Sequence, residues 1–450
     1  MLEPVKVDYR ASGKNVLKSI LKTIAPLAVF ALVVGIFFVV QTHRERREQA
    51  IVRAAVLYDL DYLLATLEQN LPTLGIIYRR HGVDMLTLGQ EFRNTVESPA
   101  TDIDYMLFWQ LLRRDFFGPA RGISHLNSLT EGMRLWLLEA YSSGVHLGGL
   151  PTLERYVEIL SVPPLFYVDM PIGWPNAHIQ ENVTFDIIEE NRIAHLRIRT
   201  FNWIDSSHIQ AMFHLRRFIY MAQEYVHLII DLRSNTGGST HFFHSHFGSQ
   251  LVAEPHTVYI HNFYKAGSHN MEFMNSMADM RPQSMPIDID YFRAFLAPQY
   301  LHVLYDIMRM DYYYVYAHTL QPSELQTQFN GKIWMLVDEN MFSAAQWVAT
   351  FYKEIGFATL VGNTTGGGLA FCSVAMFSNY ITLPNTGIIV RYDTMLSLDP
   401  RGRPIEYGTE PHYFNRPGMD ALETVLALIE EGWYSVGTRH CKSRNYRANS

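Results

Sequence analysis

The sequence predicts an α/β protein that opens with a membrane helix and a helical domain. Three observations carry this expectation. An uncharged run extends from Thr23 to Thr42, apolar residues recur at helical spacing between about Gln49 and Ser143, and strand-like and helix-like segments alternate from Val183 onward. The composition agrees with packed cores: 450 residues are 48% hydrophobic and 18% charged, which excludes a disordered or collagen-like chain. A net charge of −7 argues against nucleic acid as a partner. The two cysteines, Cys372 and Cys441, are too few for a disulfide scaffold or a four-thiolate zinc site. They could form one bridge or remain buried free thiols.

Residues 1–22 read as a short tail carrying Lys14, Lys18 and Lys22 just ahead of the apolar run. Residues 23–42 (TIAPLAVFALVVGIFFVVQT) are long enough, at about 1.5 Å per residue, to cross the ~30 Å hydrocarbon core of a bilayer. A signal peptide fits less well, because no small-x-small cleavage site precedes His43. Lys and Arg flank both ends, so charge barely sets the orientation. A short inside tail with the body of the chain outside the cytoplasm is the expected arrangement, because long domains translocate largely regardless of charge.

Residues 49–150 form the expected helical domain. Val56, Leu60, Leu63, Leu64 and Leu67 trace one apolar stripe, closed by Pro72, and YMLFWQLLRRDFF and GMRLWLLEAYSSG repeat the pattern. A connector rich in Pro and Gly covers 151–182. The α/β domain is expected over 183–435. Its strands are VTFDIIEE and IAHLRIRTF, then VHLIIDLR after the helix HIQAMFHLRRFIYMAQEY, then KIWMLVDE and ATLVGN around the helix SAAQWVATFYKEIG. Residues 262–330, rich in aromatics and Met, are expected to be a mainly helical insertion. Residues 436–450 read as a tail.

Three segments lie where α/β folds place their sites, past the carboxyl ends of strands. IIDLRSNTGGST ends a strand in Gly237 and Gly238, whose amides can aim at an anion. DENMFSAAQW places Ser343 at a strand-to-helix junction ahead of Ala344 and Ala345. Ser343 has two readings there: a plain helix N-cap, or a nucleophile whose product is an oxyanion. VGNTTGGGLAF is a glycine-rich loop, but Gly362 and Gly367 at P-loop spacing are followed by Gly368 and Leu369 rather than Lys and Ser/Thr. His241, His244 and His246 do not share one helical face, and no acidic ligand adjoins them, so no metal is expected.

Together IIDLRSNTGGS, KIWMLVDENMFSAAQWVAT, LVGNTTGGG and DPRGRPIEYGTEP resemble the core of the C-terminal processing (tail-specific) serine peptidases, over roughly 183–430. The amino-terminal helices, with DLDYLLATLEQNLP and later GISHL, resemble the helical domain found in many members. The resemblance implies a crotonase-like ββα peptidase fold, a protein or peptide substrate and no cofactor. No PDZ-like segment is evident. Members with a Ser–Lys dyad carry the lysine in a TxGKG loop; here the loop reads TTGGG, and neither Lys353 nor Lys332 is placed to replace it.

The tricorn-like branch instead uses Ser with His, a second Ser and a Glu. That resemblance implies Ser343 as nucleophile, His208 as base, Ser207 and Glu406 as the groups that orient the network, and an oxyanion hole from Gly237, Gly238 and Ala344. His195 and His214 remain alternatives to His208, Ser206 to Ser207, and Glu410 to Glu406. The expected function is a membrane-anchored serine peptidase. The competing expectation is a non-catalytic relative that binds peptides or lipids, motivated by the missing lysine and the apolar insertion.

Overall fold

The computed structural model describes residues 9–143, 154–162, 164, 182–201, 207–276, 283–324, 327, 329–368 and 378–432. Cys372 and Cys441 fall outside them, as does most of the connector. The helices that carry the argument are α1 (Tyr9–Asn70), α2 (Leu74–His81), α3 (Met85–Glu97), α4 (Tyr105–Leu111), α5 (Glu131–Ser143), α6 (Glu154–Ser161), α7 (Ser207–Ala222), α8 (Ser268–Ser276), α9 (Ile289–Phe295), α10 (Ala344–Glu354) and α11 (Ala421–Glu430).

The central sheet has six strands in the order β12-β8-β7-β4-β3-β2. They are β2 (Val183–Glu189), β3 (Ile193–Ile198), β4 (His227–Asp231), β7 (Lys332–Val337), β8 (Thr359–Gly362) and β12 (Tyr413–Phe414). β3, β4, β7, β8 and β12 are parallel, and β2 pairs antiparallel with β3 across a turn at Asn191, whose φ is 57°. Side chains alternate in period two. Leu228, Ile230 and Met335 face α7 and α10, whereas Ile229, Trp334 and Leu336 face Val425 and Leu428 of α11. Helix α10 is buried on all sides through Lys353, as suits a helix held in the core rather than on the surface. Burying a side chain such as Val348 or Phe351 there contributes roughly 1.5–3 kcal/mol.

Two three-stranded sheets flank this core. One has the order β11-β5-β6, from β5 (His256–Tyr264), β6 (Tyr312–Leu320) and β11 (Leu396–Leu398). The other has the order β1-β10-β9, from β1 (Asn127–Ser128), β9 (Ser378–Thr382) and β10 (Ile389–Asp393). The segment 262–330 carries helices, as expected, but also one long strand. Its aromatic run Tyr312–Leu320, read as helix from composition, is strand β6 along the full length of β5, with α8 and α9 between the two strands. Pairing along the whole of β5 and the β-favouring Tyr, Val and Thr decide the outcome.

The amino-terminal helices share one core with this insertion and with the β9–β10 hairpin: Leu60, Leu63, Phe92, Phe108 and Phe116 belong to the same cluster as Phe263, Phe292, Tyr313 and Val390. Helix α1 is 62 residues long, about 90 Å, and only its carboxyl-terminal part enters that core. Val29, Phe30, Leu32, Val33, Ile36, Phe37, Phe38, Val39 and Val40 are all more than half exposed. Among the described residues no helix is long and apolar enough to cross a membrane. The expected span 23–42 is described only in part, since the side chains of 23–25, 27 and 28 lie outside the description.

Candidate active site

The loop between β7 and α10 carries Ser343 at φ 56°, ψ −124°, the left-handed side of the map for a residue with a Cβ. Such backbone costs roughly 1–3 kcal/mol and holds only where its surroundings enforce it. Here they do. Phe342 N–H donates to the Asn235 carbonyl at 3.2 Å, Ser343 N–H to the Gly367 carbonyl at 3.3 Å, and Gly366 N–H to the Met341 carbonyl at 2.8 Å. A sharp strand-to-helix turn of this kind lifts a serine hydroxyl clear of the backbone, as in a nucleophile elbow.

The helix-cap reading of Ser343 fails on geometry. Its side chain makes no cap hydrogen bond. Its Oγ lies 2.9 Å from His125 Nε2, and His125 Nδ1 lies 2.7 Å from Asp393 Oδ2. The carboxylate fixes the tautomer, with hydrogen on Nδ1 and a bare Nε2 facing the hydroxyl. Asp393 is buried; its other oxygen accepts from Ser378 Oγ at 2.5 Å, and Ser378 in turn accepts from Arg391 Nε at 2.9 Å. The Phe342 ring stands edge-on to the imidazole at 4.9 Å between centroids.

Burial, helped by Arg391, lowers the His125 imidazole below its ordinary value, against the opposing pull of Asp393. Burial acts to raise the Asp393 carboxyl, but His125, Arg391 and Ser378 outweigh it and hold the group below the usual carboxylate range. The site at neutral pH is thus a neutral imidazole between a hydroxyl and a carboxylate.

Glu406 is buried one residue away from this chain of contacts. Its Oε1 accepts from Ser124 N at 3.3 Å and Ser124 Oγ at 3.5 Å, and Ser124 Oγ also meets Thr73 Oγ1 at 2.5 Å. Burial first, then the negative Asp393, push its carboxyl up to about 8, against Arg80 and the amides of Ser124 and Gly368. Ser124 and His125 both have positive φ, 54° and 48°.

Of the residues expected for this site, Ser343 and Glu406 come together here. Ser207 and His208 open α7, and their side chains lie outside the described residues; the imidazole against Ser343 is that of His125. His195 is engaged with Asp231 at 3.7 Å, and His214 is exposed on α7. Glu410 is exposed, and its carbonyl accepts from Lys353 Nζ at 2.6 Å, which occupies that lysine. His244 is buried against the Tyr352 hydroxyl at 3.2 Å.

The three expected oxyanion donors differ. Gly237 N–H is consumed by Asn235 Oδ1 at 2.9 Å, so it does not serve. The Gly238 and Ala344 amides have no hydrogen-bond partner among the described residues. Gly237 contributes closeness instead: a Cβ there would stand 2.8 Å from Ala344 N and 2.9 Å from Ser343 Cβ. The rest of the DLRSNTGG run is scaffold, with Asp231 paired to Arg233 and Arg233 to Asp420 at the start of α11. The TTGGG loop has no space for a lysine. A Cβ on Gly367 would lie 2.2 Å from the Glu406 carbonyl oxygen, and one on Gly368 would enter the Phe342 ring.

Residues 192–414, just under half of the chain, match the model of Peptidase family S41. This stretch is a Peptidase family S41 domain. Ser343, Asp393 and Glu406 lie inside the S41 domain, whereas His125 reaches it from outside the matched residues. The structure of mature CPAF complexed with lactacystin superposes with a TM-score of 0.52 at 14% identity, over 81% of this chain and 94% of that one, so the two share a fold. A lipoprotein from Streptococcus agalactiae matches at 14% identity over 84% of this chain and 96% of its own, with a TM-score of 0.44. A photosystem II D1 C-terminal processing protease matches at 16% identity over 53% of this chain and 49% of its own, with a TM-score of 0.32. No curated protein matches the sequence.

Proposed function

We propose that this chain is a serine peptidase that cleaves protein or peptide substrates through an acyl-enzyme on Ser343. One observation carries the reading: the His125 imidazole bridges Ser343 Oγ and Asp393 at 2.9 Å and 2.7 Å. His125 Nε2 takes the hydroxyl proton as Ser343 Oγ attacks the scissile carbonyl carbon. The developing oxyanion is received by the Gly238 and Ala344 amides, a contribution of roughly 3–4 kcal/mol per donor. His125 then passes its proton to the leaving amine, and a water, deprotonated by the same nitrogen, releases the acyl group. Asp393 accepts the Nδ1 hydrogen throughout and stabilises the transient imidazolium. Glu406, held by Ser124, supports the backbone that presents His125. A fluorophosphonate probe with peptide hydrolysis tests this: the wild type labels and cleaves, and Ser343→Ala does neither. Equal labelling of the two removes Ser343 as nucleophile.

Attachment to a membrane through residues 23–42, with the catalytic part outside the cytoplasm, is also proposed. It rests on the uncharged run and on the exposed apolar side chains from Val29 to Val40.

A further inference from the structure

We infer that Arg80 is a positioning residue for the nucleophile turn, acting from α2 through the glycine-rich loop; the inference rests on the serine-peptidase reading of this site. Arg80 Nη1 donates to the Gly366 carbonyl at 3.2 Å and to the Glu406 carbonyl. These two acceptors belong to the two segments that enclose Ser343. Gly366 precedes the residue whose carbonyl accepts Ser343 N–H, and its own N–H is held by Met341, two residues before the serine. Glu406 carries the carboxyl that holds Ser124, next to His125. One guanidinium thus ties the nucleophile's loop to the support of its base.

The space it uses is the space a loop side chain would need. A Cβ on Gly367 would stand 3.2 Å from Arg80 Nη1 as well as 2.2 Å from the Glu406 carbonyl oxygen. The cation beside the loop therefore comes from the amino-terminal helices. Both bonds leave Nη1, whose two N–H groups are held in the guanidinium plane and so fix the two carbonyls at once. The helix that delivers it is anchored. Ile76 and Ile77 are buried, Gly82 closes the last turn at φ 70°, and Arg79 pairs with Asp306 and donates to Tyr407 Oη at 3.4 Å. The two arginines of that turn also sit favourably at the helix's negative end.

The test compares Arg80→Met, Arg80→Lys and Arg79→Met in the full chain, by peptide hydrolysis and by fluorophosphonate labelling rate. Loss of two charge-assisted hydrogen bonds in Arg80→Met is expected to lower kcat and labelling together by about ten- to a hundredfold, with KM held within about twofold. Arg80→Lys, which keeps a charged donor but not the planar guanidinium that aims it, should recover part of the loss. Arg79→Met should melt earlier, with Asp306 left buried and unpaired, yet keep kcat near wild type. A folded Arg80→Met with wild-type kcat overturns the inference. If Arg80→Met does not fold, Arg80→Lys decides, and wild-type kcat there overturns it equally. A wild-type protein that neither cleaves nor labels overturns the peptidase reading itself, a result distinct from any seen with the Arg80 variants.

Discussion

The His125 imidazole meets the Asp393 carboxylate because a two-residue strand fixes the register between them. Asn127 and Ser128 of β1 pair antiparallel with Arg391 and Val390 of β10, so continuing the ladder outward sets position 125 against position 393. The Asp393 N–H donates to the Ser124 carbonyl at 2.8 Å and closes the arrangement. The pairing places an imidazole from the amino-terminal part of the chain against Ser343 of the S41 domain without a long loop to position it.

On the proposed mechanism, replacing His125 should be nearly as damaging as replacing Ser343. His125→Ala is expected to lower kcat by at least about 10⁴-fold, as is Ser343→Ala, with little change in KM. His208→Ala should keep most of the activity. Steady-state hydrolysis of one peptide by all three decides between the two histidines, and the reverse ranking returns the role to His208.

Asp393→Asn should cost about 10²–10⁴-fold in kcat, because an amide can hold the imidazole in the wrong tautomer. The pH dependence has a definite sign. Burial and Arg391 lower the His125 imidazole, so it stays neutral and competent down to a pH below its ordinary ~6.5. Asp393 opposes that lowering, and removing its charge should move the acid limb of kcat/KM further down. A limb that moves up contradicts the assigned contact.

Glu406 predicts a stability profile. Its folded carboxyl titrates near 8, above the ordinary value of 4.5, so between those limits the folded state holds more protons than the unfolded one. Stability from this group is therefore fully present below about 4.5 and is lost as pH rises through 8. Urea melts at pH 5, 7 and 9 should show this decline in the wild type and a flatter profile in Glu406→Gln. Parallel profiles would mean that Glu406 is ionised in the folded protein.

Gly237→Ala should displace the nucleophile turn, since a methyl at φ 101° would press on the Phe342 carbonyl and on Ala344 N at 2.8 Å. Loss of kcat by at least about tenfold is expected, with destabilisation of about 1–3 kcal/mol. Gly367→Lys, which writes the dyad lysine back into the loop, should likewise lose activity rather than gain a second base. Kinetics and thermal melts on both variants read these effects.

If residues 23–42 hold a membrane, the full chain should remain in carbonate-washed membranes while a chain beginning near Arg47 appears in the supernatant. The shorter chain should keep its peptidase activity, because the part of α1 that packs into the core starts with Val52 and Val56. Equal release of both chains removes the attachment.

The strand–helix–strand pattern and Ser343 were legible in the sequence because each is a local signal: short β-branched runs, a helix of small and apolar residues, and a serine at their junction. β6 was not, because the Met- and Leu-rich run ahead of it reads as helix and its pairing with β5 is a tertiary fact. His125 lies 218 residues before Ser343, in a GISHL stretch whose positive φ values have no glycine to announce them at Ser124 and His125. Asp393 is one acid at the end of an apolar strand. The one available clue was Ser124–His125 following Gly122, a polar pair in a turn between helices, and it weighed little among 19 histidines.

The shared core of the amino-terminal helices, the insertion and the β9–β10 hairpin also bears on how the protein is made. During synthesis the histidine emerges first, the serine more than two hundred residues later, and Asp393 and Glu406 last. A partly built chain has no carboxylate to orient its imidazole and no hairpin to hold β1. The contacts of Ser343, His125 and Asp393 therefore come together only with the completed fold.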